Sequence, residues 1–165
     1  MVSPTQNLTL LTPPSNDQLI ESARKTLSTQ AQALQSLSSR VGIEFSTAVN
    51  LILAGQGRTI ICGMGKSGLI GKKMAATLAS TGTPSFFLHP GEAFHGDLGM
   101  VQANDILILI SYSGETEELI RLLPSLQNFG NTCIAMVGNT ASTLAKNCQC
   151  VLDIGVDREV CPNNL

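Results

Sequence analysis

The chain has 165 residues, a net charge of −2 and 43% hydrophobic residues, enough for one domain with a proper core. Only 13% of residues are charged and the ten Lys and Arg are scattered, so no nucleic-acid or membrane-surface patch is visible. Aromatics make up 4% with no Trp, which excludes a base-stacking platform, and no apolar run reaches the length of a membrane span.

Residues 1–15 are polar and carry Pro4, Pro13 and Pro14, so a flexible arm is expected there. They lack a basic region followed by an apolar run, so no signal peptide is read. Ser15, Asn16 or Asp17 can cap the helix that follows. Its apolar positions Ile20, Ala23, Leu27, Ala31, Leu34 and Leu37 recur at three and four, an amphipathic pattern. A second helix runs from about 41 to 53, with Phe45, Ala48, Val49 and Ile52 on one face, and Gly55 and Gly57 end it. Two helices ahead of the first strand can cover a sheet or pair with another subunit.

From Arg58 onward strands and helices alternate. The strands are expected at about 59–63, 85–88, 105–111, 132–137 and 150–154, and the helices at about 67–80, 115–129 and 141–147. Asp105-Ile-Leu-Ile-Leu-Ile-Ser111 is nearly all apolar, as a strand buried on both faces should be. The order implies an α/β fold: a five-stranded parallel sheet, right-handed crossovers and helices on both sides, in three αβα layers. Residues 16–165 read as one domain. The sequence ends at Leu165, shortly after the fifth strand, so a C-terminal truncation is expected.

Five cysteines form no C-x-x-C pair, and the odd count points to reduced thiols and a cytoplasmic protein. Cys62 and Cys133 sit within strands as small core residues, while Cys161 falls in the tail. Strand alternation would point Cys148 and Cys150 to one face, where they pack rather than bind zinc.

Residues 58–71, RTIICGMGKSGLIG, read as strand, glycine turn and helix. Such a turn aims the helix's first free N–H groups at one spot, which suits a phosphate. Gly63, Gly65 and Gly68 leave room for a ligand, Lys66 adds a flexible charge, and Ser67 lies in the same turn. Gly63-x-Gly65-x-x-Gly68 matches the dinucleotide fingerprint, yet the next strand ends in His89 and Pro90 rather than in the acid that would hold a ribose. A P-loop is excluded because Ile60 stands where its first glycine belongs.

A second anchor, Ser111-Tyr-Ser113-Gly114-Glu115-Thr116, ends the third strand. Ser111, Ser113 and Thr116 offer hydroxyls at a helix start, and the parallel sheet sets them beside the Lys66 turn. Glu117 and Arg121 are spaced for a surface ion pair. Glu118 is either a solvated first-turn acid or a base that reaches over the pocket. Residues 89–100, HPGEAFHGDLGM, read as a binding or catalytic loop carrying the chain's two histidines, His89 and His95. Their spacing to Glu92 and Asp97 fits no standard zinc pattern. Glu159, after the fifth strand, is either another base or an exposed acid in a loose tail.

Together, Gly63–Gly68, the run Ala79–Glu92, His95–Val101 and Ser111-x-Ser113-Gly114-Glu115 closely resemble the sugar isomerase (SIS) domain of D-arabinose 5-phosphate isomerases. The resemblance spans about 58–165, with the two N-terminal helices also expected. It implies a flavodoxin-like five-stranded parallel sandwich and interconversion of D-ribulose 5-phosphate with D-arabinose 5-phosphate, a step that feeds Kdo synthesis. It implies that Lys66, Glu118 and Glu159 are catalytic, and that Gly65, Ser67, Ser111, Ser113 and Thr116 bind the sugar phosphate with His95 at the rim. No cofactor or metal is implied, although zinc can bind and inhibit, with His89 and His95 as its contacts. The partners implied are a small sugar phosphate and further copies of the chain in a homotetramer, with no nucleic acid and no membrane. The family's essential histidine would lie beyond Leu165, and the tandem regulatory domains that often follow are not expected within these 165 residues. The chain is therefore expected to bind substrate but turn it over weakly or not at all. The rivals are a non-catalytic sugar-phosphate sensor, an isomerase of another phosphosugar, and a dehydrogenase.

Overall fold

The computed structural model describes residues 13–160. Most of the expected arm (residues 1–12) and Cys161 lie outside the described residues. Helix α1 spans Asn16–Arg40, and of the three candidate caps Ser15 is the one used. Its hydroxyl accepts the Gln18 N–H at 3.3 Å and the Gln18 side chain accepts the Ser15 N–H at 2.8 Å. The glutamine three residues on decides the cap, because it closes a reciprocal box that Asn16 and Asp17 cannot. Helix α2 spans Ile43–Ala54 and ends at Gly55.

Alternation then follows: β1 Thr59–Gly63, α3 Gly65–Ser80, β2 Ser85–Leu88, α4 Pro90–Ala93 and a 3-10 turn Asp97–Met100. Next come β3 Ile106–Ser111, α5 Glu117–Phe129, β4 Thr132–Val137, α6 Thr143–Lys146 and β5 Cys150–Asp153. The five strands form one sheet in the order β2-β1-β3-β4-β5, every pair parallel. The chain moves from β1 outward to β2, then returns to β3 on the other side. The strand order reverses between β1 and β3, where a crevice opens at the carboxyl edge of such a sheet.

Side chains alternate across β3 and feed both cores. Leu107 and Leu109 pack with Leu119, Leu122, Leu123 and Leu126 of α5. Ile106, Ile108 and Ile110 pack on the other face with Ala48 of α2 and Ala75 of α3. Burying each α5 leucine contributes on the order of 2 kcal/mol. At the amino edge of the sheet, the fully buried Asp105 carboxylate accepts the Arg58 backbone N–H at 2.8 Å, the Gln102 N–H at 2.9 Å and the Arg58 guanidinium at 2.7 Å.

Four expectations change. The stretch 89–100 is not one loop, because Pro90, with φ already helical, starts α4 and a 3-10 turn follows. Cys148 and Cys150 do not share a face: Cys148 precedes the strand and packs with the α5-side core, while the Cys150 thiol donates to the Glu44 carbonyl on the opposite side. Among the described residues no Glu117–Arg121 ion pair forms, and the Arg121 guanidinium instead lies 4.7 Å over the Phe94 ring. Finally, α5 begins at Glu117 rather than 115, because Gly114 turns the chain with φ +67° first.

Candidate active site

The β1 and β3 registers set Gly63 opposite Ile110, so the turns that follow these strands stand side by side at the carboxyl edge. The first is built by steric need. A Cβ at Gly68 would meet the Gly63 carbonyl at 2.7 Å, and one at Gly71 would press on Ile61 and Phe87 at 3.0 and 3.1 Å. Gly63, Gly68 and Gly71 therefore let α3 lie close on the sheet. The expectation that Gly63 and Gly68 clear space for a ligand is corrected by these contacts. Gly65 alone faces open space, with φ +51°. Met64 caps α3 without a side-chain hydrogen bond, so the first-turn N–H groups of Gly65, Lys66 and Ser67 have no cap from it. Lys66 is exposed and Ser67 half-buried.

The second turn is held by its own hydroxyls. The buried Ser111 hydroxyl lies 2.7 Å from that of Thr116 and accepts the Gly114 N–H at 3.0 Å. The exposed Ser113 hydroxyl accepts the Glu115 N–H at 3.2 Å. Ser111 thus shapes the loop from inside while Ser113 faces out. Thr116 caps α5 without a side-chain bond to it, so α5 also presents uncapped first-turn N–H groups. Two helix N-termini with their dipoles converge on one crevice, an arrangement that attracts an anion. Glu118 is the second residue of α5, half-buried on its first turn.

Glu115 serves the loop rather than the crevice. Its carboxylate accepts the Thr143 N–H at 2.7 Å, which ties the loop to the start of α6. That bond holds the Glu115 carboxyl below the usual carboxylate range, with Lys146 adding to the effect. Sequence reasoning assigned Glu115 no partner, because Thr143 is distant in the chain.

His89 caps α4 by position, its ring edge-on to Phe87 and its buried Nδ1 without a partner. His95 is exposed between α4 and the 3-10 turn. Among the described residues no three His, Cys, Asp or Glu side chains gather to hold a metal ion. Glu159 lies apart from this group. It lines a shallow groove with Ser22, Lys25, Thr26 and Thr29 of α1, and among the described residues it shares no hydrogen bond with Lys66 or Glu118. A cavity of about 500 Å³ lies elsewhere again, between α1, α2 and β5, lined by Leu37, Phe45, Met136 and Leu152.

Tyr112 is the functional-loop residue that the sequence did not single out. It is the chain's one tyrosine and sits between the two loop serines. Its carbonyl accepts the Gly138 N–H at 2.8 Å, and its hydroxyl bonds the backbone of Val156. A lone aromatic inside a polar, hydroxyl-rich loop was the available signal.

Several known proteins are similar to this chain over most of its length. The arabinose 5-phosphate isomerase KpsF of Escherichia coli is 57% identical over 148 residues, which cover 89% of this chain and 45% of that protein. The arabinose 5-phosphate isomerase KdsD of Pseudomonas aeruginosa is 51% identical over 150 residues, covering 91% of this chain and 46% of that one. The chain spans about half the length of these curated relatives. The solved structure of E. coli CFT073 c3406 in complex with arabinose 5-phosphate superposes with a TM-score of 0.88 at 41% identity, covering 92% of this chain and 81% of that one. The family model described as SIS domain matches residues 52–164, from the end of α2 through all five strands. The chain belongs to the SIS domain family.

Proposed function

We propose that this chain is the isomerase domain of an enzyme that interconverts D-ribulose 5-phosphate and D-arabinose 5-phosphate through an enediol. The observation that carries the reading is the pairing, at the β1/β3 switch point, of two uncapped helix N-termini with Lys66 and the Ser113 hydroxyl beside a first-turn carboxylate, Glu118. Its support from outside is the naming of relatives at 51–57% identity and the arabinose 5-phosphate held by c3406.

In this reading the sugar phosphate rests on the N–H groups of α5 and on Gly65, Ser67, Ser113 and Thr116, with the buried Ser111 shaping the loop beneath it and His95 at the rim. A carboxylate, Glu118 or Glu159, takes a proton from C1 of the ketose and returns it to C2. A proton passes from O1 to O2, so the carbonyl moves to C1 and an aldose results. Lys66 and backbone N–H groups steady the oxygen charge as it develops, each aimed donor being worth about 3 kcal/mol. Phosphate contacts remote from the reacting carbons hold the chain over the base and so support turnover as well as affinity. No cofactor enters this scheme.

The wider role follows the same reading: a cytoplasmic step toward Kdo by a single SIS domain over residues 16–165. The assembly is a homotetramer, a proposal supported by α1, which buries none of its residues, and by Leu27, Leu34, Ile43 and Leu53, exposed at 66–76%. Light scattering of the protein should give four copies, and a monomer mass contradicts this. Glu118→Gln should lower kcat at least about 100-fold, the usual share of a general base. If Glu118→Gln and Glu159→Gln both leave the rate untouched, the carboxylate assignment fails. A sensor would bind arabinose 5-phosphate and convert none of it.

A further inference from the structure

Residues 154–160, which follow β5, form no helix, and two side chains pin them. The Arg40 guanidinium bonds Asp153 at 2.7 Å and also the Gly155 carbonyl. The Tyr112 hydroxyl donates to the Val156 carbonyl at 3.1 Å and accepts the Val156 N–H at 3.2 Å. One hydroxyl thus satisfies both backbone groups of a single residue. It does so from the second residue of the hydroxyl loop, next to Ser111 and Ser113.

The ring is fixed as well. Gly138 lies against it so closely that a Cβ there would meet Tyr112 Cε2 at 2.7 Å. Gly155 also sits where a Cβ would meet the Gly138 carbonyl at 3.1 Å. The ring, Gly138 and Gly155 form one stack that joins the end of β3, the end of β4 and the end of β5. Glu159 follows Val156 by three residues. Tyr112 is 43% exposed, so the stack is not explained by core packing.

We propose that Tyr112 is a positioning residue that couples the sugar-phosphate loop to the segment carrying Glu159. The inference rests on the isomerase reading given above. Phosphate bound at Ser113 and Thr116 orders the loop, the loop fixes Tyr112, and its hydroxyl holds the backbone three residues before Glu159, which sets where that segment can reach. Tyr112 touches neither the phosphate nor the reacting carbons; it acts through Val156.

The test is a double-mutant cycle on the protein with Tyr112→Phe, which removes the hydroxyl and keeps the ring, and Glu159→Gln. Kinetics with D-ribulose 5-phosphate are read beside amide hydrogen exchange of residues 154–160 and a thermal melt. Tyr112→Phe should lower kcat about tenfold with KM within about twofold, and exchange at 154–160 should rise about tenfold while the sheet keeps its protection. In the Glu159→Gln background the same change should alter kcat less than about twofold, because the group it positions is gone. Two kcat losses that multiply, or a loss carried by KM, overturn the coupling. Unchanged exchange at 154–160 overturns the clip whatever the kinetics. If Glu159→Gln runs at the full rate, or the parent protein converts no substrate, the isomerase reading of Glu159 is what fails, and exchange still reports on the clip separately.

Discussion

Gly114 carries more of the loop's geometry than its neighbours. Its φ is +67°, and a Cβ there would run into the Ser142 hydroxyl, which caps α6 by accepting the Ala145 N–H. Gly114→Ala should therefore lose about 2–3 kcal/mol, combining left-handed strain with a clash against a capping group. In a chain of this size that is a drop of roughly 5–10 °C in Tm. Gly65→Ala is the control: φ is +51° but nothing lies within 4 Å, so about 1 kcal/mol is expected. Equal losses in the two melts would contradict the argument from Ser142. The sequence placed Gly63, Gly65 and Gly68 in one turn and gave all three the same role. It could not separate Gly65, open to a ligand, from Gly63 and Gly68, which press on one another, because that difference depends on how closely α3 approaches β1. Tyr112 was invisible as a contact for a similar reason: its partner is backbone 44 residues away, and backbone partners leave no mark in side-chain chemistry.

Between elements, the Arg58–Asp105 pair ties the start of β1 to the approach to β3, with Asn131 Nδ2 bonding the Gln102 and Asp105 carbonyls from the head of β4. Burial pushes the Asp105 carboxyl up, but the Arg58 guanidinium and the Gln102 and Arg58 backbone N–H groups outweigh it and hold the group below its ordinary range. A carboxyl with a depressed folded-state pKa contributes stability above its unfolded value of about 3.9 and loses it as pH falls through the lower folded value. Asp105→Asn should cost about 3 kcal/mol at pH 7, as breaking a buried pair does. Urea melts should show the gap to the parent narrowing below about pH 4. A gap that stays constant from pH 7 to pH 3 would contradict the pair's role. Strand positions were legible because the runs at 59–62, 106–110 and 133–135 are buried on both faces, and burial of that kind leaves no alternative pattern. Helix starts were less legible. The α5 start depended on the Gly114 turn, and α4 on a proline that also suits loops.

The molecule as a whole is a sheet whose two uncapped helix starts face one crevice, with α1 and the Glu159 segment lying to one side. The positions of Lys66 and Glu118 at the carboxyl edge follow from strand order, since β1 and β3 are neighbours and each residue sits within the first turn of the next helix. The place of Glu159 does not follow in this way, because among the described residues after β5 the strand-to-helix pattern that fixes the other two is not repeated. If the isomerase reading holds, this architecture moves a proton between adjacent carbons of a five-carbon sugar phosphate. A time series of proton NMR spectra of the protein with D-ribulose 5-phosphate in heavy water watches that transfer itself. Signals of arabinose 5-phosphate should grow, with deuterium entering at C2. Ribulose signals that broaden while no aldose appears would mean a chain that binds substrate but lacks part of its catalytic set, and signals that stay sharp and unchanged would contradict the reading.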